Sequence, residues 1–500
     1  MGCFQSFNEN YYHRSVLVPI QVTKETILYT VVNSLCDNAW DYVQELNKKY
    51  SIYKVSNLFL SSIQISNVED FQIILSSKQH IQKSILYQWL QSWLGTGLLT
   101  SDGNKWRYRR KLLTPAFHFN ILQEFFKIFK EHSAVLVDKL QEECDKPHTD
   151  VLAFISHFTL HIICETAMGV KLDESNKSMK QYVEATQKIG KLLLRRIRRP
   201  WLYFKYSYLI SSNKYEEMST LKTLHDFTMS VIKEQKKSFK SMDVVEYNES
   251  TGNFKVKKRL ALLDLLMTLK YHGADITDEG IREEVDTFTF EGHDTTAVAI
   301  SFALMLIANH RDVQVSYVTL DNYLLFFLLQ DKIFNEIQEV TENFNKTIAF
   351  EDLSKFSYLE LVIKESLRLY PSVPTIGRKT SADIHTSSGY FIPKNTYISL
   401  HIYGVHHDDR YFPNAEKFDP NRFLPENSVN RNPYAYIPFS AGQRNCIGQK
   451  FAIMELKMII ASVVQHFKLF PIDTQSSIRL ASNLTLKTKD GVKVKFEKRT

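Results

Sequence analysis

A single cysteine, Cys446, lies in a glycine-containing loop near the C-terminus, in the stretch PFSAGQRNCIGQKFA. Gly442 and Gly448 flank it, Arg444 is two residues before it, and a helix is predicted directly after it. Helix N-termini and the N–H groups of tight turns both favour a thiolate. One cysteine cannot hold zinc or an iron–sulfur cluster, but it can be the axial ligand of a haem iron. The alternative is a buried structural cysteine, the commoner use of a single Cys.

A second group of residues contains charges of opposite sign. Glu365 and Arg368, in KESLRLYPSVP, are three residues apart and share one face of a predicted helix. Alone, such a pair is normally a surface ion pair worth about 0.3–0.5 kcal/mol. Arg422, in the turn FDPNRF, offers a third charge that would change this interpretation.

The segment FEGHDTT lies within a long apolar stretch that predicts a buried helix. Gly292 costs about 1 kcal/mol in a helix interior, but it lets another group approach the backbone. Thr295 is four residues after Glu291, and its hydroxyl can bond back to that carbonyl and locally open the helix. Asp294 would then lie beside a groove suited to relaying protons. Alternatively, Gly292 ends one helix and Asp294 caps the next.

Trp106 and Arg110 are four residues apart in DGNKWRYRRKLLTPAFHF, at the start of a basic predicted helix. An indole N–H and a guanidinium on one helix face can bind a carboxylate together. A solvated basic face is the alternative.

The elements around these motifs predict a mainly α fold with small β-sheets. Apolar spacing favours helices over 120–140 and 283–310, and β-rich runs favour strands over 53–67 and 396–403. Asp490-Gly491 between two alternating runs predicts a hairpin over 484–498, and the polar stretch 236–258 predicts a surface linker. We therefore expect one large helical domain whose small sheet joins distant segments.

Bulk properties exclude several classes of protein. The charge of +7 over 500 residues is too small to indicate nucleic-acid binding, although it fits a basic face toward an acidic partner or anionic membrane. The five cysteines show no spacing typical of a disulfide framework or zinc site, which favours a reducing compartment. No apolar run reaches the roughly 18 residues that a membrane-spanning helix needs.

Together these motifs resemble the cytochrome P450 family, from about Tyr53 to the end of the chain. The family's loop Phe-x-x-Gly-x-Arg-x-Cys-x-Gly is matched at every fixed position, by Phe439, Gly442, Arg444, Cys446 and Gly448. The resemblance implies the P450 fold and a haem-thiolate monooxygenase that inserts one oxygen atom from O2 into a lipophilic substrate.

The resemblance also implies individual roles. Cys446 would be the thiolate ligand of haem b, and four residues would contact its propionates: Trp106, Arg110, Arg378 and Arg444. Glu365, Arg368 and Arg422 would form a buried structural network. Thr295 and Asp294 would deliver protons, and Gly292 would leave room for O2.

Partners and location follow from the same resemblance. NADPH-cytochrome P450 reductase would donate electrons at a basic face, with cytochrome b5 as a further partner. The enzyme would work at the cytoplasmic face of the endoplasmic reticulum membrane. Contact with the membrane surface could come from KLLLRRIRRPWLYF, residues 191–204.

Four stretches resemble the fourth P450 family, particularly its insect members: EGHDTT, WLGTGLLTSDGNKW, CETAMG and KESLRLYPSVP. Members commonly hydroxylate fatty acids and related lipids near the chain end. In many of them the glutamate at the position of Glu291 forms an ester bond to a haem methyl group.

Two segments depart from the family pattern. Residues 1–45 form an atypical N-terminal segment without a visible membrane anchor, ahead of a single haem-thiolate domain over 46–500. Residues 315–330, VSYVTLDNYLLFFLLQ, form an unusual insert that begins with Val (codons starting GT) and ends with Gln (codon CAG), as a retained short intron would.

These departures keep alternative functions open: a haem-binding but inactive paralogue, or a haem-thiolate isomerase or dehydratase. The acid and alcohol at Asp294 and Thr295 argue against the isomerase or dehydratase.

Overall fold

The computed structural model describes residues 39–56, 60–173, 177–239, 245–248, 253–256, 260–310 and 329–499. Most of the predicted insert and residues 1–38 lie outside these ranges. In the described part of the chain, no helix is both long and apolar enough to cross a membrane.

Helices dominate the described residues, as the sequence predicts. In chain order they are α1 (Ala39–Lys49), α2 (Val68–Ser76), α3 (Ile85–Trp89), α4 (Gln91–Leu94), α5 (Gly103–Leu113), α6 (Phe119–Glu143), α7 (Val151–Thr166), α8 (Lys177–Arg198), α9 (Lys205–Leu209), α10 (Ser212–Ser238), α11 (Leu262–Tyr271), α12 (Asp278–Asn309), α13 (Leu329–Val340), α14 (Ser357–Leu369), α15 (Ile402–His406), α16 (Pro425–Ser428) and α17 (Gln449–His466). Short 3₁₀ turns cover Thr114–Phe117, Pro200–Tyr203, Glu351–Ser354, Pro420–Phe423, Pro433–Ala435 and Gly442–Arg444.

The strands are short and form small separate sheets. They are β1 (Ile52–Ser56), β2 (Ser61–Ile65), β3 (Thr149–Asp150), β4 (Val245–Asn248), β5 (Asn253–Val256), β6 (Thr375–Lys379), β7 (Ile384–His385), β8 (Phe391–Ile392), β9 (Tyr397–His401), β10 (Phe467–Pro471), β11 (Leu480–Ser482), β12 (Leu486–Thr488) and β13 (Lys493–Lys498). The largest sheet has the order β1-β2-β9-β6. In this sheet β2 pairs in parallel with β9, more than 300 residues later in the chain. The sheet therefore joins the N-terminal and C-terminal parts of the chain, as predicted.

The long helix α12 runs through the main hydrophobic core and positions the site. Thr277 caps its N-terminus by accepting from the Gly280 N–H at 3.0 Å. From Val298 to Ala308 every residue is buried, because α7, α14 and α17 pack around this part of the helix. A helix that is apolar on all sides is stable only in such surroundings.

The predicted hairpin over 484–498 is wrong. β12 pairs with β11, whereas β13 pairs with β10 and β3. Gly491 has a φ of 82°, and the next N–H, of Val492, donates to the Asp150 carboxylate at 3.1 Å. This contact directs the chain away from β12, so the two strands join different sheets.

The linker prediction for 236–258 is also corrected in part. α10 continues to Ser238, and β4 and β5 pair with each other in antiparallel register inside this stretch. The polar composition of this stretch therefore gave no indication of the short hairpin.

Candidate active site

A cavity lies between the Cys446 loop and the middle of α12. It offers about 220 Å³ in which the centre of a water molecule can lie. Residues singled out from the sequence line both walls of the cavity. Three more of these residues also line it: Trp106 and Arg110 from α5, and Arg378 from β6. Most of the remaining lining is apolar, including Phe288, Ala299 and Ile376.

The cysteine loop is held in place by backbone contacts. Gly442 has a φ of 70°, and a Cβ there would lie 1.8 Å from the carbonyl oxygen of Leu75 in α2. The Cys446 N–H donates to the Phe439 carbonyl at 2.9 Å, and Gly448 is the N-cap of α17. The glycine at 442 is therefore required by a close approach of two backbone segments.

The Cys446 side chain is exposed to the cavity, whose wall it lines. Burial raises the pKa of its thiol to about 11, with a further increase from Glu291, and the Gly448 N–H and Arg110 only partly oppose this. The helix terminus thus does not produce a thiolate by itself. A bound cation would have to displace the thiol proton.

Four cationic side chains line the cavity: Lys83, Arg110, Arg378 and Arg444. Arg378 is 2 % exposed and Lys83 is 7 % exposed, and neither forms an ion pair with any described residue. Burial lowers the pKa of Lys83 well below its usual value, and the charges of Arg378 and Arg444 lower it further, while the charges of Glu291 and Asp102 oppose the shift. Buried cations without counter-ions are costly. The cavity is therefore suited to an anionic ligand.

Two of these arginines also fasten the loop. Arg110 donates through Nη1 to the Asn445 carbonyl and through Nη2 to its Oδ1, both at 2.8 Å. Arg444 donates to the carbonyls of Ile81 and Leu98 and to Asp102 Oδ1 at 2.8 Å. Most of its donors are thus used inside the protein.

Trp106 lies against this network, as its spacing from Arg110 predicts. The indole is 4 % exposed, and the Arg444 guanidinium lies 4.2 Å from its ring centroid. The alternative interpretation, a solvated basic face, applies only to the neighbouring exposed residues, such as Lys105 and Arg107.

The opposite wall is α12, which continues unbroken through Gly292, so the interpretation of two separate helices is wrong. The Thr295 hydroxyl donates to the Glu291 carbonyl at 2.7 Å, as its spacing predicts. A Cβ on Gly292 would lie 2.5 Å from Ile163 Cδ1, so α7 fills the space beside this glycine. Burial raises the pKa of Glu291 to about 7, although Lys83 and Arg110 oppose the shift.

Asp294 does not line the cavity. Its carboxylate accepts from Thr485 Oγ1 at 2.6 Å and from Lys487 Nζ at 2.5 Å. These partners, with His293, hold the pKa of Asp294 below its usual value despite burial, which acts in the opposite direction. The carboxylate expected to face the groove instead binds the C-terminal segment, although Thr295 beside it lines the wall.

The structure brings Glu365, Arg368 and Arg422 together in the core. Arg368 binds Glu365 through two nitrogens, at 2.7 and 2.8 Å, and both side chains are fully buried. Arg422 Nε lies 3.3 Å from Glu365 Oε1. Arg368 also donates to the His406 carbonyl at 2.7 Å, which ties α14 to α15.

The residues present fit a haem group. A thiol faces a cavity of mainly apolar lining, and unpaired buried cations are positioned for carboxylates such as propionates. No group of three or more His, Cys, Asp or Glu side chains that could hold a metal occurs among the described residues. The site therefore offers one metal ligand, Cys446, with cations around it.

Sequence reasoning missed Lys83, Tyr87, Asp102 and Asn445. Lys83 Nζ lies 4.3 Å from the centroid of the Tyr87 ring, and both line the cavity. A lone lysine before an apolar run gives no spacing signal. Asn445 had one usable signal, because it directly precedes Cys446.

The chain belongs to the cytochrome P450 family, whose model matches residues 26–318 and 322–496. The interruption at 319–321 falls inside the predicted insert, and the match begins within residues 1–45. The family, fold and site define a haem-thiolate monooxygenase that uses O2, electrons from a redox partner such as a reductase, and a lipophilic substrate.

Its relatives belong to the fourth P450 family. The chain is 41% identical over 438 residues to cytochrome P450 4V2 of Homo sapiens, covering 87% of this chain and 80% of that protein. It is 39% identical over 442 residues to probable cytochrome P450 4ac1 of Drosophila melanogaster, covering 88% and 82%. Cytochrome P450 4c3 of the same fly is also 39% identical, covering 86% and 79%.

Proposed function

We propose that this enzyme hydroxylates a fatty acid or related lipid at or near the end of its chain. The observation that carries the proposal is the position of Glu291 in the wall of a cavity that is mainly apolar apart from four cationic side chains. The resemblance to the fourth P450 family supports the same substrate class. An apolar wall binds an alkyl chain through its buried surface, at about 25 cal/mol per Å².

The first experiment is the absorption spectrum of the reduced, carbon-monoxide-bound protein. A strongly red-shifted Soret band would show thiolate ligation by Cys446, and Cys446→Ser is the matched control that should lose it. Reductase, NADPH and saturated fatty acids are then added, and O2 uptake and hydroxylated product are measured. A normal band with no O2 uptake would support an inactive paralogue, and O2 uptake without lipid product would contradict the proposed substrate.

Glu291 is proposed to form an ester bond to a haem methyl group. The bond would join a carboxylate oxygen of Glu291 to the methyl carbon, with loss of one C–H hydrogen and of the carboxyl proton. One turnover with O2, two electrons from the redox partner and two protons would remove these two hydrogen atoms, and both oxygen atoms of O2 would leave as water. The Glu291 side chain forms no hydrogen bond or ion pair within the described part of the chain, which leaves its oxygens available. After turnover, haem should resist extraction by acidified solvent, and in Glu291→Ala it should be extractable; extractable haem in both contradicts the bond.

Thr295 and Asp294 are proposed to deliver protons during oxygen activation, the chemistry that bound haem supplies. The Thr295 hydroxyl is in the cavity wall, and Asp294 is fixed behind it by Thr485 and Lys487. Thr295→Ala should raise NADPH consumption without product, because protons arrive too slowly. Lys487→Met should show the same uncoupling more weakly, since it loosens Asp294 and leaves the cavity unchanged. Unchanged coupling in both would contradict the assignment.

The enzyme is further proposed to work at the cytoplasmic face of the endoplasmic reticulum membrane, with cytochrome b5 as a second partner. Five apolar side chains are exposed between α8 and α10: Trp201, Phe204, Tyr206, Leu209 and Ile210. Tyr206 and Ile210 are 82% and 89% exposed, beside the basic end of α8. Sedimentation with phosphatidylcholine–phosphatidylserine vesicles should fall for Ile210→Ser but not for Val429→Ser, which is exposed elsewhere. Equal binding would contradict this contact.

A further inference from the structure

A carboxyl group without a partner is buried in α17, behind the wall of the haem cavity. Glu455 is fully buried, and neither of its carboxyl oxygens has a hydrogen-bond partner among the described residues. Ala452 and Leu456, on the same helix, line the cavity. Buried polar groups are nearly always paired, so an unpaired acid at this position calls for a functional explanation.

Glu455 is a neutral acid near neutral pH. Burial raises the pKa of its carboxyl well above the usual value, and the Thr296 hydroxyl is the one group in the described part of the chain that acts in the opposite direction. A buried carboxyl that meets no cation keeps its proton, because the charged form would lose its hydration. Glu455 therefore holds a proton in an O–H group that no protein acceptor uses.

Thr296 lies between this acid and the cavity. It belongs to α12, which packs against α17, and it lines the cavity beside Thr295. Its hydroxyl donates to the Gly292 carbonyl at 2.8 Å, so its lone pairs remain open to a donor. It is close enough to lower the pKa of Glu455, although no hydrogen bond joins the two side chains in this arrangement. A rotation of the Glu455 carboxyl, or one water between the groups, would complete the contact.

Asp294, the acid next to Thr295, is in the opposite state. Although burial opposes the shift, the charge of Lys487 holds the pKa of Asp294 below its usual value. Near neutral pH this carboxylate is therefore ionised, and it can give a proton only after taking one up. Two acids thus lie beside neighbouring threonines of α12, and Glu455 is the one that already carries a proton.

We propose that Glu455 stores a proton and passes it through the Thr296 hydroxyl into the haem cavity. The Glu455 O–H bond breaks as its proton moves to the Thr296 oxygen, and the Thr296 proton passes into the cavity. There the reduction of O2 by two electrons from the redox partner consumes two protons per turnover. Glu455 is left as a carboxylate and regains its proton from water that reaches Thr296 between turnovers.

This route is additional to the one proposed for Thr295 and Asp294. It rests on the monooxygenase reaction and not on the proposed lipid substrate. Glu455 acts through Thr296 and touches neither O2 nor substrate, so it is a positioning residue.

The protonation state can be measured without turnover, in the infrared spectrum of the haem-loaded ferric protein. A neutral carboxylic acid shows a C=O stretch that a carboxylate lacks. Glu284, Asp286 and Glu291 would add to this band near neutral pH, because burial raises the pKa of each to about 7. At about pH 8.5 these three groups are largely ionised, and we expect a remaining band that disappears in Glu455→Gln.

The coupling of NADPH consumption to product tests whether this proton is used. Dodecanoic acid is the substrate, and product formed per NADPH is measured in the presence of reductase. Glu455→Gln keeps the shape of the side chain but has no acidic proton. Coupling should fall about tenfold, less than the roughly 10²–10⁴-fold typical of proton transfer by a positioned side chain, because the Thr295 route stays open.

Glu455→Asp separates a proton donor from a structural residue. It keeps the acid but shortens the side chain and leaves a cavity, so it should be less stable than Glu455→Gln and yet better coupled.

Thr296→Val tests the path between the acid and the cavity. It removes the hydroxyl, and added to Glu455→Gln it should cause no further loss of coupling, because both changes interrupt one path. It also serves as the second variant if the Glu455 variants do not fold. Ser462→Ala is the control: it removes another buried polar side chain of α17 and should leave coupling unchanged.

Three results would overturn the inference. An infrared band that is unchanged in Glu455→Gln would mean that Glu455 holds no proton. Coupling that is unchanged in Glu455→Gln, or better there than in Glu455→Asp, would mean a structural role. Independent losses from Glu455→Gln and Thr296→Val would mean that the two residues do not share a path.

Failure of the proposed function gives different results. If dodecanoic acid is not hydroxylated, the proposed substrate fails, and the infrared band still tests the inference. If Thr295→Ala stays coupled while Glu455→Gln does not, the route through Thr295 and Asp294 fails alone.

Discussion

At the scale of single residues, breaking the buried Glu365–Arg368 ion pair should strongly lower the stability of the protein. Both side chains are fully buried, and Arg422 lies close to the same carboxylate. Glu365→Gln removes the negative charge and leaves two guanidinium groups uncompensated. Breaking a buried pair in this way costs about 3–5 kcal/mol. We expect a correspondingly lower urea midpoint and poor haem retention.

The control is Glu124→Gln, which breaks the exposed pair with Lys127 at 2.7 Å. Exposed pairs of this kind contribute less than about 1 kcal/mol. Equal midpoints for the two variants would contradict a structural role for Glu365.

The raised pKa of a second residue, Glu284, predicts how the stability of the protein depends on pH. Glu284 is fully buried, accepts from the Leu98 N–H at 3.0 Å, and lies 3.9 Å from Arg109. Burial outweighs these contacts and raises its pKa to about 7. Between pH 4.5 and 7 the unfolded chain therefore binds fewer protons here than the folded protein, and this contribution to stability falls as pH rises. Glu284→Gln should flatten the fall in thermal midpoint measured from about pH 5 to about pH 8.

Glu283, the adjacent carboxylate, provides the control. Lys105 and Thr96 hold the pKa of Glu283 below its usual value although burial opposes them. Its contribution therefore changes only below about pH 4.5. Glu283→Gln should change the slope between about pH 5 and about pH 8 much less than Glu284→Gln, because the Glu283 charge adds only a lesser part to the raised pKa of Glu284. A slope altered equally by both variants would refute the assignment to Glu284.

At the scale of elements, sequence patterns predicted the features that depend only on residues close together in the chain. Helical periodicity located α6 and α12, and the spacing of Glu291 and Thr295 predicted their backbone contact. Strand-forming residues were predicted over 53–67, where β1 and β2 lie and pair with each other, whereas the one pairing predicted, that of β12 with β13, is wrong. The failure lies in a contact with Asp150, more than 300 residues away, which turn chemistry cannot show.

The same distinction applies to the site. Motif residues were found where their spacing is fixed by one helix or loop, as for Trp106 and Arg110. Lys83 and Arg378 reach the cavity from separate elements, and only Arg378 was found, through the resemblance. Asp294 was assigned to the right helix, but its partners Thr485 and Lys487 come from the C-terminal segment and redirect its side chain.

The close contact between the cysteine loop and α2 gives a prediction at this scale. In Gly442→Ala the new Cβ would overlap the Leu75 carbonyl oxygen at 1.8 Å, so the loop or the helix must move. Asn445 and Cys446 would then shift from the cavity wall. We expect haem content per chain and the thermal midpoint both to fall.

Gly389→Ala separates this clash from backbone strain. Gly389 has a similarly left-handed φ of 82°, but no atom lies within 4 Å of the position that a Cβ would take there. Its cost should be limited to the strain of a non-glycine residue, about 1–2 kcal/mol, with haem content unchanged. Haem loss equal to that of Gly442→Ala would show that strain alone explains both.

At the scale of the whole molecule, the ends of the predicted insert can be compared with the fold. Gln330, its last residue, donates to the Leu469 carbonyl at 2.8 Å and accepts from the Leu469 N–H at 2.9 Å. Leu329 beside it is fully buried. α13 is thus fastened to β10 by Leu329 and Gln330, which end the predicted insert but lie within residues 322–496, the part that the family model matches.

Deleting residues 315–330 should preserve this attachment. The deletion joins Gln314 to Asp331, so that Gln314 takes the position of Gln330 and Val313 takes that of Leu329. It also removes the apolar run LLFFLL. We expect the shortened protein to bind haem with a thermal midpoint at least equal to that of the full chain, and to aggregate less.

The deletion combined with Gln314→Ala tests the mechanism. This variant lacks both amide contacts and leaves the Leu469 backbone N–H and carbonyl unsatisfied in the core, at a cost of about 1–3 kcal/mol each. Its midpoint should fall below that of the deletion alone. If the simple deletion already destabilises the protein and the added Gln314→Ala changes nothing, the residues of 315–330 are an integral part of the fold, and the retained-intron hypothesis fails.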